Sequence, residues 1–293
     1  MVFAVCSRVL ALAAAATAVV PSGSAAASPA EPIAPDLECF DTPGPSLDLD
    51  LELAELDPAL LQLGLAPHRA VVREQTAICV PVARRGARPA ADALPTLQAI
   101  ALACYRIDAA ALPAPARLGV AHASSAPALL PGDDAVLLRP VELCLPVARA
   151  DAVAPDVRRL VQFVALECHA AQLARRPDIA IAAAPLPDTL AAAMPPHALT
   201  LGGDREVCMP VARNTERIPS DVLGIVQRLA FEKIAAAPAP VARQPGPAPG
   251  PPPIELALAH LSPRLVTLPV VTVALGRASG WLLPVVRRGP ANP

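Results

Sequence analysis

The sequence predicts a mainly β fold with short connecting helices, built from four tandem repeats of about 64 residues, three of which carry an intra-repeat disulfide. The first observation is the phrase Cys-x-Pro-Val-Ala-Arg, which begins at Cys79, Cys144 and Cys208. The second is another cysteine 40 positions before each copy, and these cysteines are Cys39, Cys104 and Cys168. Self-similarity at a fixed spacing is typical of repeat architectures.

A fourth, degenerate copy lacks both cysteines. Residues 284–289 resemble residues 81–86, and residues 230–234 resemble residues 103–107, which places Phe231 and Leu282 at the cysteine positions. The residues between them include a Pro-rich insertion that favours extended polyproline geometry. The predicted boundaries are 38–90 for repeat 1, 91–154 for repeat 2, 155–217 for repeat 3, and 218–293 for repeat 4 with its insertion at 237–253.

Alternating hydrophobicity predicts the strands. The clearest runs from Leu47 to Leu53, where leucines alternate with Asp48, Asp50 and Glu52, so that leucines and carboxylates lie on opposite faces. Further strands are predicted at 70–79, 117–122, 135–144, 178–182, 198–208 and 271–275.

Helical spacing of apolar residues appears in the connectors at 157–168 and 222–229. These helices are expected to start at Pro155-Asp156 and Pro219-Ser220-Asp221, because Ser and Asp satisfy free backbone donors and Pro is tolerated in the first turn. The first connector, 94–104, fits the pattern more weakly because Pro95 interrupts it.

The N-terminal residues have the features of an export signal. Arg8 precedes an apolar run at 9–20 and the small residues Ala25 to Ala27, so residues 1–27 are predicted to be a signal peptide and 28–37 a flexible lead-in. No membrane span is expected in the mature chain, since no later stretch of 18 residues is both uncharged and free of proline. A net charge of -2 provides no basic field for a phosphate backbone, which argues against nucleic acid as a partner.

Cleavage near Ala27 removes Cys6 and leaves six cysteines. An even number in an exported chain indicates disulfides formed in an oxidising compartment. Repeat symmetry leaves two schemes, one that closes each repeat on itself and one that joins Cys79 to Cys104 and Cys144 to Cys168. The loss of both cysteines from repeat 4 favours the first scheme, with the bonds Cys39–Cys79, Cys104–Cys144 and Cys168–Cys208.

Two phrases resemble a known family. Leu102-Ala103-Cys104-Tyr105-Arg106-Ile107 opens a repeat and the segment from Leu143 to Arg149 closes it. Together they resemble a family of exported bacterial repeat modules of unknown function, and the resemblance covers residues 38 to 289. It implies an exported, β-rich, disulfide-bonded protein, and it brings no catalytic residues.

Motifs for catalysis or cofactors are not found in the sequence. It has no Gly-rich phosphate loop, nucleophile elbow, zincin helix or closely spaced cysteine pair. No catalytic residue and no cofactor is therefore predicted. The histidines are dispersed, and each is expected to be a surface or turn residue; they are His68, His122, His169, His197 and His260. His68, Asp133 and His197 all follow the first cysteine of their repeat by 29 positions, which is consistent with a polar residue that begins a strand.

The acidic ladder Asp48, Asp50 and Glu52 is the one weak metal candidate. Carboxylates two apart on a strand share a face and repel one another, and calcium would relieve that repulsion. The alternative is a solvated face balanced by arginines such as Arg69 and Arg73, and it is favoured because the ladder lacks a Gly-bearing calcium loop.

The function expected from the sequence is that of an exported, non-enzymatic repeat protein, extracellular or in the cell envelope or periplasm. Its role would be structural or surface-binding, with an unknown protein or the envelope surface as partner, because stacked repeats create extended surfaces. A secreted hydrolase with a site assembled between repeats and a calcium-dependent adhesion module are the alternatives.

The leader generates the first prediction. We expect exported protein to begin near Ser28, because signal peptidase cleaves after small residues. N-terminal sequencing of secreted material checks this. Protein that is exported but still begins at Met1 would contradict export by this route.

Overall fold

The computed structural model describes residues 35–44, 46–84, 101–122, 132–149, 153–174, 179–185, 197–236, 254–263, 265 and 267–288. The predicted signal peptide, the Pro-rich insertion and most of the first connector lie outside the described residues. The described part of the chain is mainly β, as predicted, with short helices in the second and third connectors.

Along the chain, each long strand follows two or three shorter ones. Four of them, β3, β6, β9 and β13, contain the repeated Pro-Val phrase or its degenerate copy. The strands are β1 (Asp36–Asp41), β2 (Ser46–Glu55), β3 (His68–Arg84), β4 (Ala101–Ala109), β5 (Ala116–His122), β6 (Asp133–Arg149), β7 (Leu166–Leu173), β8 (Ile179–Pro185), β9 (His197–Arg213), β10 (Phe231–Ala236), β11 (Glu255–His260), β12 (Val271–Ala274) and β13 (Ala278–Arg288). The helices are α1 (Pro58–Gln62), α2 (Pro155–Val161) and α3 (Ser220–Val226).

Eight of these strands close into a ring. Antiparallel pairing runs from β1 to β3, β4, β6, β7, β9, β10 and β13, and β13 pairs with β1 again. We refer to these eight strands as the ring. Because the circuit is closed, both long edges of every ring strand have a partner.

The remaining five strands of the described chain are the outer strands, and three of them, β2, β5 and β8, join long strands that lie opposite each other in the ring. The strand β2 pairs with the first half of β3 and, through residues 53–55, with the end of β9. Conversely, β8 pairs with the start of β9 and the end of β3. In the same way β5 joins β6 to β13, and β11 pairs with the end of β6 and with β12. Distant parts of the chain therefore hold one another in place.

The two faces of the ring bury different residues. All six disulfide cysteines belong to one hydrophobic cluster, together with Leu37, Leu102, Leu166, Phe231 and Leu282. The cysteine face points into the ring, because Lys233 on β10 reaches Glu142 on β6 although β7 and β9 separate these strands along the sheet. The other face packs against the outer strands in two further clusters.

Residues Phe231 and Leu282 do not lie opposite each other, although the sequence places both at cysteine positions. Phe231 pairs with Pro284, and Lys233 pairs with Leu282. In the other three cases the proline of the closing phrase also faces an apolar residue two positions before the cysteine; these pairs are Leu37 with Pro81, Leu102 with Pro146 and Leu166 with Pro210. The cysteine-equivalent position on β10 is therefore Lys233, and the expected Phe231 position is wrong by two residues.

The helix caps also differ from expectation. Ala154 and Pro219 are the N-cap residues of α2 and α3, and neither helix has a side-chain cap. The carboxylates of Asp156 and Asp221 instead lie in the first turn, where they interact favourably with the helix dipole. No helix in the part of the chain that the structure describes has the length and apolar character that a membrane span requires.

The register generates a prediction about a fourth disulfide. The double variant Lys233→Cys/Leu282→Cys should form a new disulfide, because directly opposite residues bring their Cβ atoms within bonding reach. Thiol titration and peptide mapping of the refolded variant under non-reducing conditions measure the bond.

The matched control is Phe231→Cys/Leu282→Cys, which follows the sequence alignment and not the register. Diagonal neighbours lie about 7–8 Å apart, too far for a disulfide, so this variant should keep two free thiols. A bond in the control and free thiols in the first variant would show that the register is wrong.

Candidate functional site

Disulfides occupy the interior of the ring. They join Cys39 to Cys79, Cys104 to Cys144 and Cys168 to Cys208, with Cα atoms 3.8–3.9 Å apart, and these are the pairs of the intra-repeat scheme. Sulfurs of neighbouring disulfides also touch, since Cys79 Sγ lies 3.7 Å from Cys104 Sγ and Cys144 Sγ lies 4.0 Å from Cys168 Sγ. All six cysteines are fully buried. Sulfurs bonded in this way cannot act as thiolate ligands or nucleophiles.

A charged cluster completes the interior on the side without a disulfide. The ammonium of Lys233 contacts Glu142 and lies 3.6 Å from Oε2 of Glu206. The hydroxyl of Thr76 donates to Glu142 Oε1 at 2.5 Å and lies 3.0 Å from the carbonyl oxygen of Cys104. We call the first cysteine of each disulfide, and Lys233 on β10, the opening position, and we call its partner, a second cysteine or Leu282, the closing position. Glu142 and Glu206 each lie two residues before a closing cysteine. On the next strand, Glu142 pairs with the opening position Cys168 and Glu206 pairs with the opening position Lys233.

The charges in this cluster do not balance, because one ammonium faces two carboxylates. Burial lowers the pKa of Lys233, but the charges of Glu142 and Glu206 outweigh it, so the pKa lies above its ordinary value. Burial raises the pKa of Glu206 to about 7, against the lowering effect of Lys233. Near neutral pH, Glu206 therefore carries a proton for part of the time.

On the other face of the ring, glutamates beside the opening positions pair with histidines from distant segments. The His197 Nε2 atom lies 2.5 Å from Glu38 Oε1, and His122 Nε2 lies 3.0 Å from Glu232 Oε2. Arg205 also contacts Glu232. The two glutamates are fully buried. The His197 ring thus provides a hydrogen-bonding partner for Glu38, and the His122 ring lies close to Glu232, so neither carboxylate, which would be costly to bury alone, is without a polar neighbour.

The position on β4 that corresponds to Glu38 and Glu232, directly before the opening cysteine, is not a glutamate. There the hydroxyl of Tyr105 and Nε2 of His260 are 3.0 Å apart, and both side chains are buried. Burial, together with the charge of Arg213, lowers the pKa of His260 to about 4, so this imidazole is neutral at ordinary pH. Tyr105 lies one residue after an opening cysteine, as His169 does on β7.

The fourth place, on β7, gathers two carboxylates and two imidazoles. Glu167 and His169 lie two apart on the strand and share a face, Glu55 comes from the end of β2, and His68 begins β3. His68 Nε2 lies 2.9 Å from Glu167 Oε1 and His169 Nε2 lies 3.8 Å from Glu167 Oε2. One ligand atom from each of Glu55, Glu167 and His169 lies within 4.8 Å of the others. We call these four residues the Glu-His cluster.

Burial dominates the chemistry of this cluster. Glu55, Glu167 and His169 are 6%, 0% and 0% exposed, whereas the side chain of His68 is 23% exposed. Burial raises the pKa of Glu55 well above its ordinary value, and the negative charge of Glu167 raises it further. The hydrogen bond to Glu167 raises the pKa of His68, and burial lowers that of His169. A hydrogen bond between the carboxyls of Glu55 and Glu167 also raises the pKa of Glu55. Both ring nitrogens of His169 have no hydrogen-bond partner among the described residues.

The acidic ladder has a different environment. Asp48, Asp50 and Glu52 are exposed on β2, as the alternation predicts. Arg73 Nη1 lies 3.1 Å from Asp48 Oδ1, and Arg73 Nε donates to Asp108 Oδ2 at 2.6 Å. The Cα partner of Glu52 is Arg69. These contacts support the solvated, arginine-balanced alternative.

The positions predicted for the histidines need correction. His68 and His197 do begin long strands, as expected, but their rings bind buried glutamates and do not stabilise a turn. His169 and His260 are core residues, so the surface prediction is wrong for them. A sequence signal was present, since Glu38, Glu167 and Glu232 all stand beside an opening position, and a glutamate at a buried strand position needs a partner.

Comparison of the chain with protein-family models, with curated proteins and with solved structures gives no significant match. Function is therefore inferred from the geometry of the chain itself.

The Glu206 carboxyl generates a pH prediction. Its pKa is raised from 4.5 to about 7 in the folded state, so the folded state holds a proton that the unfolded state loses. The associated stability is present below pH 4.5 and is lost as the pH rises through 7. Glu206→Gln should therefore stabilise the protein relative to wild type at pH 8 and much less at pH 4.5, as measured by urea unfolding.

The matched control is Glu255→Gln, which changes an exposed glutamate on β11. The difference in unfolding free energy between this variant and wild type should be the same at pH 4.5 and at pH 8. A Glu206→Gln variant whose stability relative to wild type does not change with pH would contradict the burial-raised pKa.

The acidic ladder generates a calcium prediction. Millimolar calcium should leave the melting temperature unchanged, because a ligand stabilises only the state that it binds and Arg73 already neutralises Asp48. Thermal unfolding with and without calcium measures this. An upward shift that Asp50→Asn removes would establish a calcium site.

Proposed function

We propose that the chain is an exported, non-enzymatic scaffold of four tandem repeats, with a structural or surface-binding role outside the cytoplasm. The observation that carries the proposal is the buried set of three disulfides inside the closed ring. Disulfides persist in oxidising compartments and are rare in the cytosol. The predicted signal peptide and the resemblance to exported bacterial repeat modules agree with this location.

The four-repeat architecture is supported by equivalent registers. An opening and a closing position face each other four times around the ring; the pairs are Cys39 with Cys79, Cys104 with Cys144, Cys168 with Cys208 and Lys233 with Leu282. Four outer strands, β2, β5, β8 and β11, also end beside the residue three positions after a closing position, such as Glu55 beside Val211 and His122 beside Val285. One unit repeated four times accounts for both regularities.

The pairing of opposite segments supports a mechanical role. Residues 53–55 bind the end of β9 while residues 183–185 bind the end of β3, so two segments far apart in sequence hold each other. A 40-residue disulfide loop contributes about 4 kcal/mol in the chain-entropy model. A protein stabilised in this way would tolerate extracellular conditions and present a fixed surface to a protein or envelope partner.

The hydrolase alternative has one structural candidate, the Glu-His cluster, because it joins carboxylates and imidazoles from β2, β3 and β7. Three of its four side chains are less than 10% exposed, which separates them from a substrate in solution. A general acid or base must reach the proton that it transfers. Burial therefore favours the scaffold over the hydrolase.

A turnover measurement distinguishes these functions. Purified exported chain should show no activity on ester, glycoside and peptide substrates beyond that of Glu167→Gln, because Glu167 is fully buried. Non-reducing peptide mapping of the same material should find the three disulfides intact. Turnover that Glu167→Gln abolishes, or exported protein that folds fully with all thiols free, would overturn the proposal.

A further inference from the structure

We propose that the Glu-His cluster of Glu55, Glu167, His169 and His68 binds one divalent transition-metal ion of the zinc class. The proposal is independent of the scaffold function and adds a metal site to it. It rests on the ligand types, their convergence, their burial and the comparison with three equivalent places in the same molecule.

The donor set is the first argument. The ligand atoms that converge are one imidazole nitrogen and two carboxylate oxygens, and His68, whose Nε2 now lies 2.9 Å from Glu167 Oε1, can supply a second imidazole nitrogen. Zinc accepts both ligand types in four-coordinate sites. Ligand atoms of a tetrahedral zinc ion lie about 3.4 Å apart. The corresponding atoms of Glu55, Glu167 and His169 already lie within 4.8 Å, so closure on an ion requires side-chain movements of about an ångström.

Unpaired polar atoms are the second argument. Both ring nitrogens of His169 are buried without a hydrogen-bond partner in the described chain, and so are Oε2 of Glu55 and Oε2 of Glu167, whose carboxyls interact with each other. Oε2 of Glu38 and Oε2 of Glu232 also lack a hydrogen-bond partner there, so the unpaired imidazole is the feature that is specific to this cluster. Buried polar groups in folded proteins are nearly always paired. A metal ion at the point where the ligand atoms of Glu55, Glu167 and His169 converge would satisfy all three residues together.

The equivalent places provide the third argument. Glu38 has Phe40 two residues later where Glu167 has His169, and Glu232 has Ile234. On β4 the pair is Ala103 and Tyr105. The second metal-ligating residue on the ring strand is thus specific to β7, whereas a purely structural glutamate and histidine pair is formed at Glu38 and Glu232 without it.

Access and charge are consistent with binding. The partly exposed His68 side chain gives an ion a path from solvent, while the other three ligands are enclosed. Both carboxylates must be deprotonated and both imidazoles neutral to coordinate the ion, so binding should release protons to solvent. The two carboxylates then carry one negative charge each and the two imidazoles none, so the ligand set balances the charge of the divalent cation.

Zinc binding to purified exported chain tests the proposal, with the three disulfides first verified by the absence of free thiols. Equilibrium dialysis and elemental analysis should find about one zinc ion per chain. Cobalt in place of zinc should give the visible absorption of a tetrahedral site. Isothermal titration in buffers of different ionisation enthalpy should show proton release.

Two variants should remove the ion by different means. Glu167→Gln eliminates one ligand, and His169→Phe introduces the residue found at the equivalent buried position, Phe40. Each should weaken zinc binding by at least about a hundredfold, because even indirect partners of metal ligands cost 10–100-fold when removed. Circular dichroism establishes that each variant is folded.

The control is Glu38→Gln, which changes the equivalent glutamate beside Cys39 and should leave zinc affinity unchanged. Failure of the folded wild-type chain to retain zinc would overturn the proposal. So would zinc binding that persists in folded His169→Phe, because the ion would then be held elsewhere. Turnover that Glu167→Gln abolishes would overturn the scaffold function, whereas only the zinc measurements decide whether the cluster binds an ion, so the two proposals fail separately.

Discussion

Packing inside a narrow ring is the constraint on which the rest of the structure depends. The sulfurs of neighbouring disulfides are 3.7 and 4.0 Å apart, so three disulfides and a few leucines nearly fill the interior. Interiors of proteins tolerate neither voids nor overlap. The remaining position is occupied by Lys233, whose long side chain crosses the ring to Glu142 and Glu206. An ammonium with two carboxylates thus occupies the place of a fourth disulfide.

The alternation of side chains along each ring strand also determines which residues lie on the outer face of the ring. Residues beside the cysteines point away from the interior, and there the outer strands cover them. Glutamates at these positions are buried and require partners, which are histidines from segments distant in sequence and, for Glu232, also Arg205 on the neighbouring strand β9. Interlocking of opposite segments therefore brings together the residues of the Glu-His cluster. The proposed zinc site depends on the pairing of β2 with both β3 and β9, because Glu55 lies at the end of β2.

Local features could be predicted from sequence because they repeat at short range. The alternation from Leu47 to Leu53 predicted β2, and the helical spacing of apolar residues predicted α2 and α3. Ring closure between β1 and β13 and the His68 to Glu167 contact could not be predicted, since both join residues far apart in sequence, 99 positions in the case of His68 and Glu167, with no local pattern. The fourth opening position was misplaced because Phe231 resembles a buried cysteine in hydrophobicity, whereas Lys233 does not, and only the register against Leu282 reveals the equivalence.

Hydrogen exchange in a variant that lacks one disulfide tests the interlocked ring most directly. Removing Cys168–Cys208 by the double substitution Cys168→Ala/Cys208→Ala should increase exchange in β7 and β9, and also in β2 and the end of β3, which pair with β9 and β8. Mass spectrometry of peptides from each strand measures this after the variant is shown to be folded. Increased exchange confined to residues 155–217 would contradict the interlocked ring, because opposite segments would then be independent.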